Sequence, residues 1–183
     1  MKHTLNIAAL VIAVTLSFAP ATYAQNSHAQ MYVARGDAWF AQEKFDRAIA
    51  AYDQALLLDS RKAEIFNKRG LTWLAKNDLG LALRDFKKAL KLNPQSAEYW
   101  HNRGIGWYRK AKLDKASADF DQALKLKPLF AEALMARGLT RLKQNKEVEA
   151  EKDFEQSVKL DAKLLRPIAQ GIEGMRSGFV AKK

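Results

Sequence analysis

An Arg-Gly dipeptide recurs at Arg35-Gly36, Arg69-Gly70, Arg103-Gly104 and Arg137-Gly138, and every interval is 34 residues. Four residues before each glycine stands a large apolar side chain: Tyr32, Phe66, Trp100 and Leu134. Three after it come Trp39, Trp73 and Trp107, with Arg141 in the fourth place. Twelve after it is always alanine (Ala48, Ala82, Ala116, Ala150), and sixteen after it an aromatic ring (Tyr52, Phe86, Phe120, Phe154). Nineteen after it come Ala55, Ala89, Ala123 and Ser157. A chain with so many columns at one period folds as an array of similar units, each too small to bury its apolar face without its neighbours.

Within a unit the apolar spacing is helical in two blocks. In the second unit Phe66, Gly70 and Trp73 share one stripe, and Leu79, Ala82, Leu83, Phe86, Ala89 and Leu90 follow the spacing of an amphipathic helix. Between them lies Lys76-Asn77-Asp78, polar and able to turn. Pro94 and Pro128 close the second and third units, because proline disfavours helix at the residue before it. Glycine in a helix interior costs about 1 kcal/mol relative to alanine. A cost repeated at the same place in every unit predicts a close approach by a neighbouring helix, with the alanine columns as the complementary surface.

These columns resemble the tetratricopeptide repeat, over about 29–164. The resemblance implies an all-α, right-handed superhelical solenoid of four helix-turn-helix units, 29–62, 63–96, 97–130 and 131–164. The fourth departs from the pattern at Arg141, Ser157 and Ala162. Residues 165–183 read as a capping helix: Pro167 suits a first helical turn, and Ile168, Ile172, Met175 and Phe179 form an apolar stripe that would cover the open end of the array.

Ahead of the repeats, Lys2 and His3 precede the apolar run Leu5–Phe18, followed by the small residues of APATYA. This is the pattern of a secretory signal peptide over 1–24, with Ala24 the preferred cleavage point and a second possible cut before Thr22. The run is shorter than the roughly 20 residues a membrane-spanning helix needs. The expected location is therefore the periplasm, or else outside the cell. The chain has no cysteine, so thiol catalysis, thiolate metal sites and disulfides are all excluded. Its formal net charge of +11 suits anionic partners, and an exported protein does not meet cellular nucleic acid.

Signals for catalysis are missing. Beyond the leader the histidines are His28 and His101, neither spaced with acids as a dyad, triad or metal site would require. Gly104-x-Gly106 lacks the third glycine and the preceding strand of a dinucleotide fingerprint. The expectation is a non-enzymatic chain without cofactor or metal. Arg35, Arg69, Arg103 and Arg137 have two readings, a basic ladder for an anionic partner or structural ion pairs. The Asp85, Asp119 and Asp153 column on the second helices favours the latter.

The resemblance also implies that the first helices line a concave groove receiving a protein or peptide partner. Candidate groove residues are Asn67, Leu71, His101, Asn102, Ile105, Tyr108, Arg109, Met135, Leu139 and Leu142. Leu71, Ile105, Tyr108, Leu139 and Leu142 would supply apolar contacts, and Asn67, His101, Asn102 and Arg109 orientation. Some members of the family clamp a peptide's terminal carboxylate with lysines and asparagines. The matching positions here are Val33, Asp37, Lys68, Glu98 and Asn102, which do not reproduce that clamp. The alternative function is attachment to an anionic membrane or glycan surface of the cell envelope through second-helix lysines such as Lys87, Lys88, Lys115 and Lys125.

Overall fold

The computed structural model describes residues 27–180, with side chains up to residue 175. The leader over 1–24 and the terminal residues 181–183 lie outside the described residues. The chain is a succession of antiparallel helical hairpins with no strand among the described residues: α1 over 27–41, α2 (Phe45–Leu58), α3 (Ala63–Ala75), α4 (Leu79–Leu92), α5 (Ala97–Arg109), α6 (Leu113–Leu126), α7 (Ala131–Lys143) and α8 (Glu147–Leu160). A short 3-10 turn (Ala162–Leu164) leads into α9 (Leu165–Val180). From α2 to α8 each helix packs on the next in sequence, α8 and α9 both meet the short turn between them, and α3, α5, α7 and α9 also touch in order. This is the all-α solenoid that the columns predict. None of the described helices is long and apolar enough to cross a membrane.

The turn inside every hairpin is the same device. Glu43, Asn77, Ala111 and Asn145, one per unit at the 34-residue step, have φ between 56° and 65°. The next N–H reaches back to the carbonyl five residues earlier: Lys44 to Trp39, Asp78 to Trp73, Lys112 to Trp107 and Lys146 to Arg141, each at 2.9 Å. The left-handed residue itself bonds three back, as Ala111 does to Tyr108 at 2.9 Å. This is a Schellman closure, which satisfies the orphan carbonyls of the first helix. Asparagine adopts the left-handed region readily, whereas alanine pays about 1 kcal/mol or more there. Ala111→Asn is therefore expected to raise stability by about 0.5–1 kcal/mol, seen as a higher urea midpoint with an unchanged slope; an unchanged midpoint would show that the turn is unstrained.

The core explains the glycine column, and the partner of each glycine is a ring. A Cβ added at Gly36 would lie 2.5 Å from Tyr52, at Gly70 2.7 Å from Phe86, at Gly104 2.6 Å from Phe120 and at Gly138 2.5 Å from Phe154. Each aromatic of a second helix thus lies flush on the backbone of its own unit's first helix. The close approach is as expected, but the alanines make a different contact. Ala48, Ala82, Ala116 and Ala150 are buried at 0–1% exposure, and the first three pack inside the unit beside that ring. Ala89 and Ala123 face the following unit, Ala89 clustering with Tyr99 and Ala123 with Leu134.

Unit four keeps this architecture despite its departures. Ser157 is fully buried and donates its hydroxyl to the Phe154 carbonyl at 2.8 Å, so the polar substitute for alanine is satisfied. Arg141, in the tryptophan column, reaches Asp153 at 2.7 Å. Beyond it, Leu164 and Ile168 are buried with Ala131, and Met135 and Ile172 pack on them. α9 thus covers the last first helix, as a cap must.

From the second unit on, the arginine column is a ladder of ion pairs; in the first unit Ala51 stands where the aspartate would, so the pairing expected of Arg35 does not form. Arg69 holds Asp85 through Nε and Nη2, both at 2.8 Å; Arg103 holds Asp119 at 2.7 and 2.7 Å; Arg137 holds Asp153 at 3.0 and 2.7 Å. Each pair ties the first helix of a unit to its second. Such bidentate bonds fix geometry as well as adding attraction.

Candidate recognition surface

Stacking first helix beside first helix sets their shared face. The columns Leu71-Ile105-Leu139 and Leu74-Tyr108-Leu142 run across α3, α5 and α7 at the repeat step. Leu71, Ile105, Tyr108 and Leu142 are half-buried, and the first three pack against the core while part of each remains in water. Lys143 sets its ammonium 4.2 Å from the centre of the Tyr108 ring, a cation–π contact that orients the phenol.

The polar candidates are engaged within the fold. Asn67 and Asn102 are 3% and 8% exposed, and Asn102 Nδ2 donates to Asn67 Oδ1 at 3.0 Å. The expectation of two open, ligand-orienting amides gives way to a buried amide bridge between α3 and α5. Packing of adjacent first helices leaves these two groups no water to bond, so they bond one another. Arg109 donates from Nη1 to the Leu74 carbonyl at 2.6 Å and from Nη2 to Asn77 Oδ1 at 3.0 Å, so that it closes over the turn of the preceding unit.

His101 sits between two rings, 5.7 Å from the Phe120 centroid and 5.0 Å from that of Phe130. Burial lowers its pKa to about 4, against a smaller opposing pull from Glu132. The neutral imidazole is therefore the folded form. Because the unfolded chain takes up a proton near its ordinary value of 6.5, stability is complete above that pH and falls as the pH drops from 6.5 toward 4. His101→Gln is expected to flatten this part of the curve of thermal midpoint against pH; an identical curve for both proteins would place the imidazole in open water.

Met135 and Leu139 lie under the cap. Met135 packs with Leu164 and Ile168, and a Cβ at Gly171 would come 2.7 Å from Leu139. α9 therefore occupies the C-terminal end of the face, leaving its open part over α3, α5 and the last turn of α7. Sequence reasoning had no means to see this, since the stripe in α9 does not say which residues it covers.

Two further carboxylate-clamp positions, Asp37 and Lys68, are paired internally too. Asp37 accepts a 2.7 Å bond from the Tyr52 hydroxyl and bonds of 3.0 and 3.1 Å from Lys68, whose ammonium also lies 3.6 Å from Glu64. Asp53 and Asp121 are the residues that reading missed: they bond Arg69 and Arg137 from the preceding unit. Their spacing of two repeat lengths was the available signal. No group of three acidic or histidine side chains among the described residues could hold a metal ion.

Comparison with known proteins agrees with this architecture. Sequence profiles described as tetratricopeptide repeat match residues 21–64 and 33–97, then 97–130, then 131–164. No curated protein sequence matches the chain significantly. Among solved structures, Pseudomonas aeruginosa PilF is similar with a TM-score of 0.73 at 19% identity, covering 84% of this chain and 72% of that one. MamA from Desulfovibrio magneticus RS-1 has a TM-score of 0.68 at 18% identity, covering 74% and 76%. The first such domain of Spaghetti (RPAP3), bound to the HSP90 peptide SRMEEVD, has a TM-score of 0.64 at 22% identity, covering 66% and 95%. At these identities the likeness is one of fold.

Proposed function

Because the chain belongs to the tetratricopeptide repeat family, we propose that it is a non-enzymatic scaffold in the periplasm or outside the cell, binding a protein partner's extended segment or helix across its first helices. The observation that carries this reading is the half-buried apolar track Leu71, Ile105, Tyr108 and Leu142 on adjacent first helices, with its amides and arginine already bonded inside the fold. A face so arranged is rigid before the partner arrives, and little ordering entropy opposes binding. The Spaghetti domain, with its bound peptide, supports the same mode. Export rests on the leader pattern of 1–24.

Recognition on this face is apolar with a phenol at its centre. Aromatic anchors of this kind carry a disproportionate share of interface energy. A photo-cross-linking residue at Tyr108 is expected to capture a discrete polypeptide in the cell, whereas one at Leu57, 79% exposed, captures none. Leu71→Ala with Leu142→Ala in the Tyr108-labelled chain is expected to reduce capture about tenfold, the size of effect that loss of two anchor contacts produces. Equal capture from both positions, or capture indifferent to the double substitution, rejects the groove as the binding face.

A further inference from the structure

The junction between the second and third units differs in charge from the two junctions on either side of it. Arg69 and Arg137 each meet two carboxylates: one in their own unit, Asp85 or Asp153, and one from the unit before, Asp53 or Asp121, through Nη1. Arg103 has only the first. Its Nε and Nη2 are held by Asp119, but the column that supplies Asp53 and Asp121 holds Lys87, and no carboxylate meets Nη1 among the described residues.

That missing partner opens onto a cleft of about 600 Å³. Arg84, Lys87, Arg103 and Lys115 line it against the single acid Asp119, with Trp107 and Leu83 as its apolar wall. The Lys115 ammonium lies 4.7 Å from the centre of the Trp107 ring. The Arg103 side chain is 20% exposed and that of Asp119 6%, so their pair forms the floor, while Arg84, Lys87 and Lys115 are exposed around it. At about 100° per residue, Arg103 and Trp107 point roughly 100–160° around α5 from Ile105 and Tyr108, so this cleft is separate from the first-helix track.

We propose that the cleft is a docking site for an acidic segment of a protein partner. A glutamate or aspartate of that segment takes on Arg103 Nη1 the place that Asp53 and Asp121 hold at the flanking junctions, and an adjoining apolar side chain lies on Trp107 and Leu83. The two internal carboxylates are the template: the fold shows twice which group this guanidinium position takes. Charge-assisted bonds to a half-buried guanidinium are stronger than those to a solvated lysine. The concave shape selects a peptide, because a flat anionic bilayer can reach Lys87 and Lys115 but not the Arg103 behind them. This site is independent of the first-helix groove, and either can fail without the other.

Lys87→Asp provides the test, since it installs the carboxylate that the neighbouring units already carry. Binding of a fluorescein-labelled octapeptide of alternating glutamate and leucine to the full chain is followed by anisotropy at physiological salt, alongside its glutamine counterpart. The glutamate peptide should bind saturably and the glutamine peptide at least about tenfold more weakly, a factor that follows from loss of a charge-assisted pair. Lys87→Asp should weaken the glutamate peptide by a similar factor with an unchanged or raised melting temperature. Lys125→Asp, the same change of charge away from the cleft, should change affinity less than about twofold, since solvated charges are largely screened. No saturable binding, equal affinity for both peptides, or equal weakening by the two substitutions overturns the proposal. So does binding confined to phosphatidylglycerol vesicles and abolished by Lys87→Asp, which would assign the cluster to a membrane surface.

Discussion

Phe120→Ala is expected to lower the unfolding free energy by about 3–5 kcal/mol, the range for removing a fully buried aromatic ring. The ring is 0% exposed, lies flush on the Gly104 backbone, packs with Ala116 and Ala136, and borders His101. Its loss leaves a cavity between α5 and α6 that neither helix can readily close, because the turn through Ala111 and the Arg103–Asp119 pair fix their relative position. Gly104→Ala attacks the same contact from the other side. Its new methyl would stand 2.6 Å from Phe120 Cε1, so the ring must shift, at a cost of about 1–3 kcal/mol set against about 1 kcal/mol of gained helix propensity. Combining Gly104→Ala with Phe120→Leu should cost less than the sum of the two single changes, since the smaller side chain makes room for the methyl. Urea unfolding measures all four proteins; strict additivity would mean that the glycine column serves something other than the ring. In an array whose units touch only their neighbours, hydrogen exchange should show the lost protection concentrated in the second, third and fourth units.

Asp119→Ala should destabilise by about 2–3 kcal/mol, somewhat under the roughly 3–5 kcal/mol for breaking a fully buried pair, because Arg103 retains some contact with water. Asp85→Ala should cost about half as much by the same reasoning, since Arg69 keeps Asp53 as a second partner. The comparison separates the two kinds of junction within one protein. Equal costs at the two positions would show that the preceding unit's aspartates contribute nothing. Asp119→Asn keeps shape and some hydrogen bonding, and should fall between wild type and Asp119→Ala.

Much of the fold was legible because repetition multiplies weak signals. One glycine beside one arginine says little. The same pair at a constant step, with ring and alanine columns in register, states where each helix lies and which face it buries. The pairing of Arg69, Arg103 and Arg137 with Asp85, Asp119 and Asp153 was legible for the same reason: both columns share one period. The candidate face on the first helices was less so. Column position says that Asn67 and Asn102 project from adjacent first helices, but whether two amides one unit apart face a ligand or each other depends on a separation that no sequence spacing states. Arg109 is similar, since its guanidinium reaches a carbonyl and an amide thirty-odd residues back in the chain.

The amino-acid sequence by itself determined the unit length, the two helices per unit, the core columns and the ion-pair ladder, because each is local or repeats at a fixed step and so is written into periodicity. Only the tertiary structure decided which partner each packing residue meets: rings rather than alanines on the glycines, α9 over Met135 and Leu139, and Asp53 and Asp121 on the arginines of the following units. The physical reason is that burial and hydrogen bonding depend on distances between helices, within a unit as well as between units, which packing sets and sequence spacing does not state.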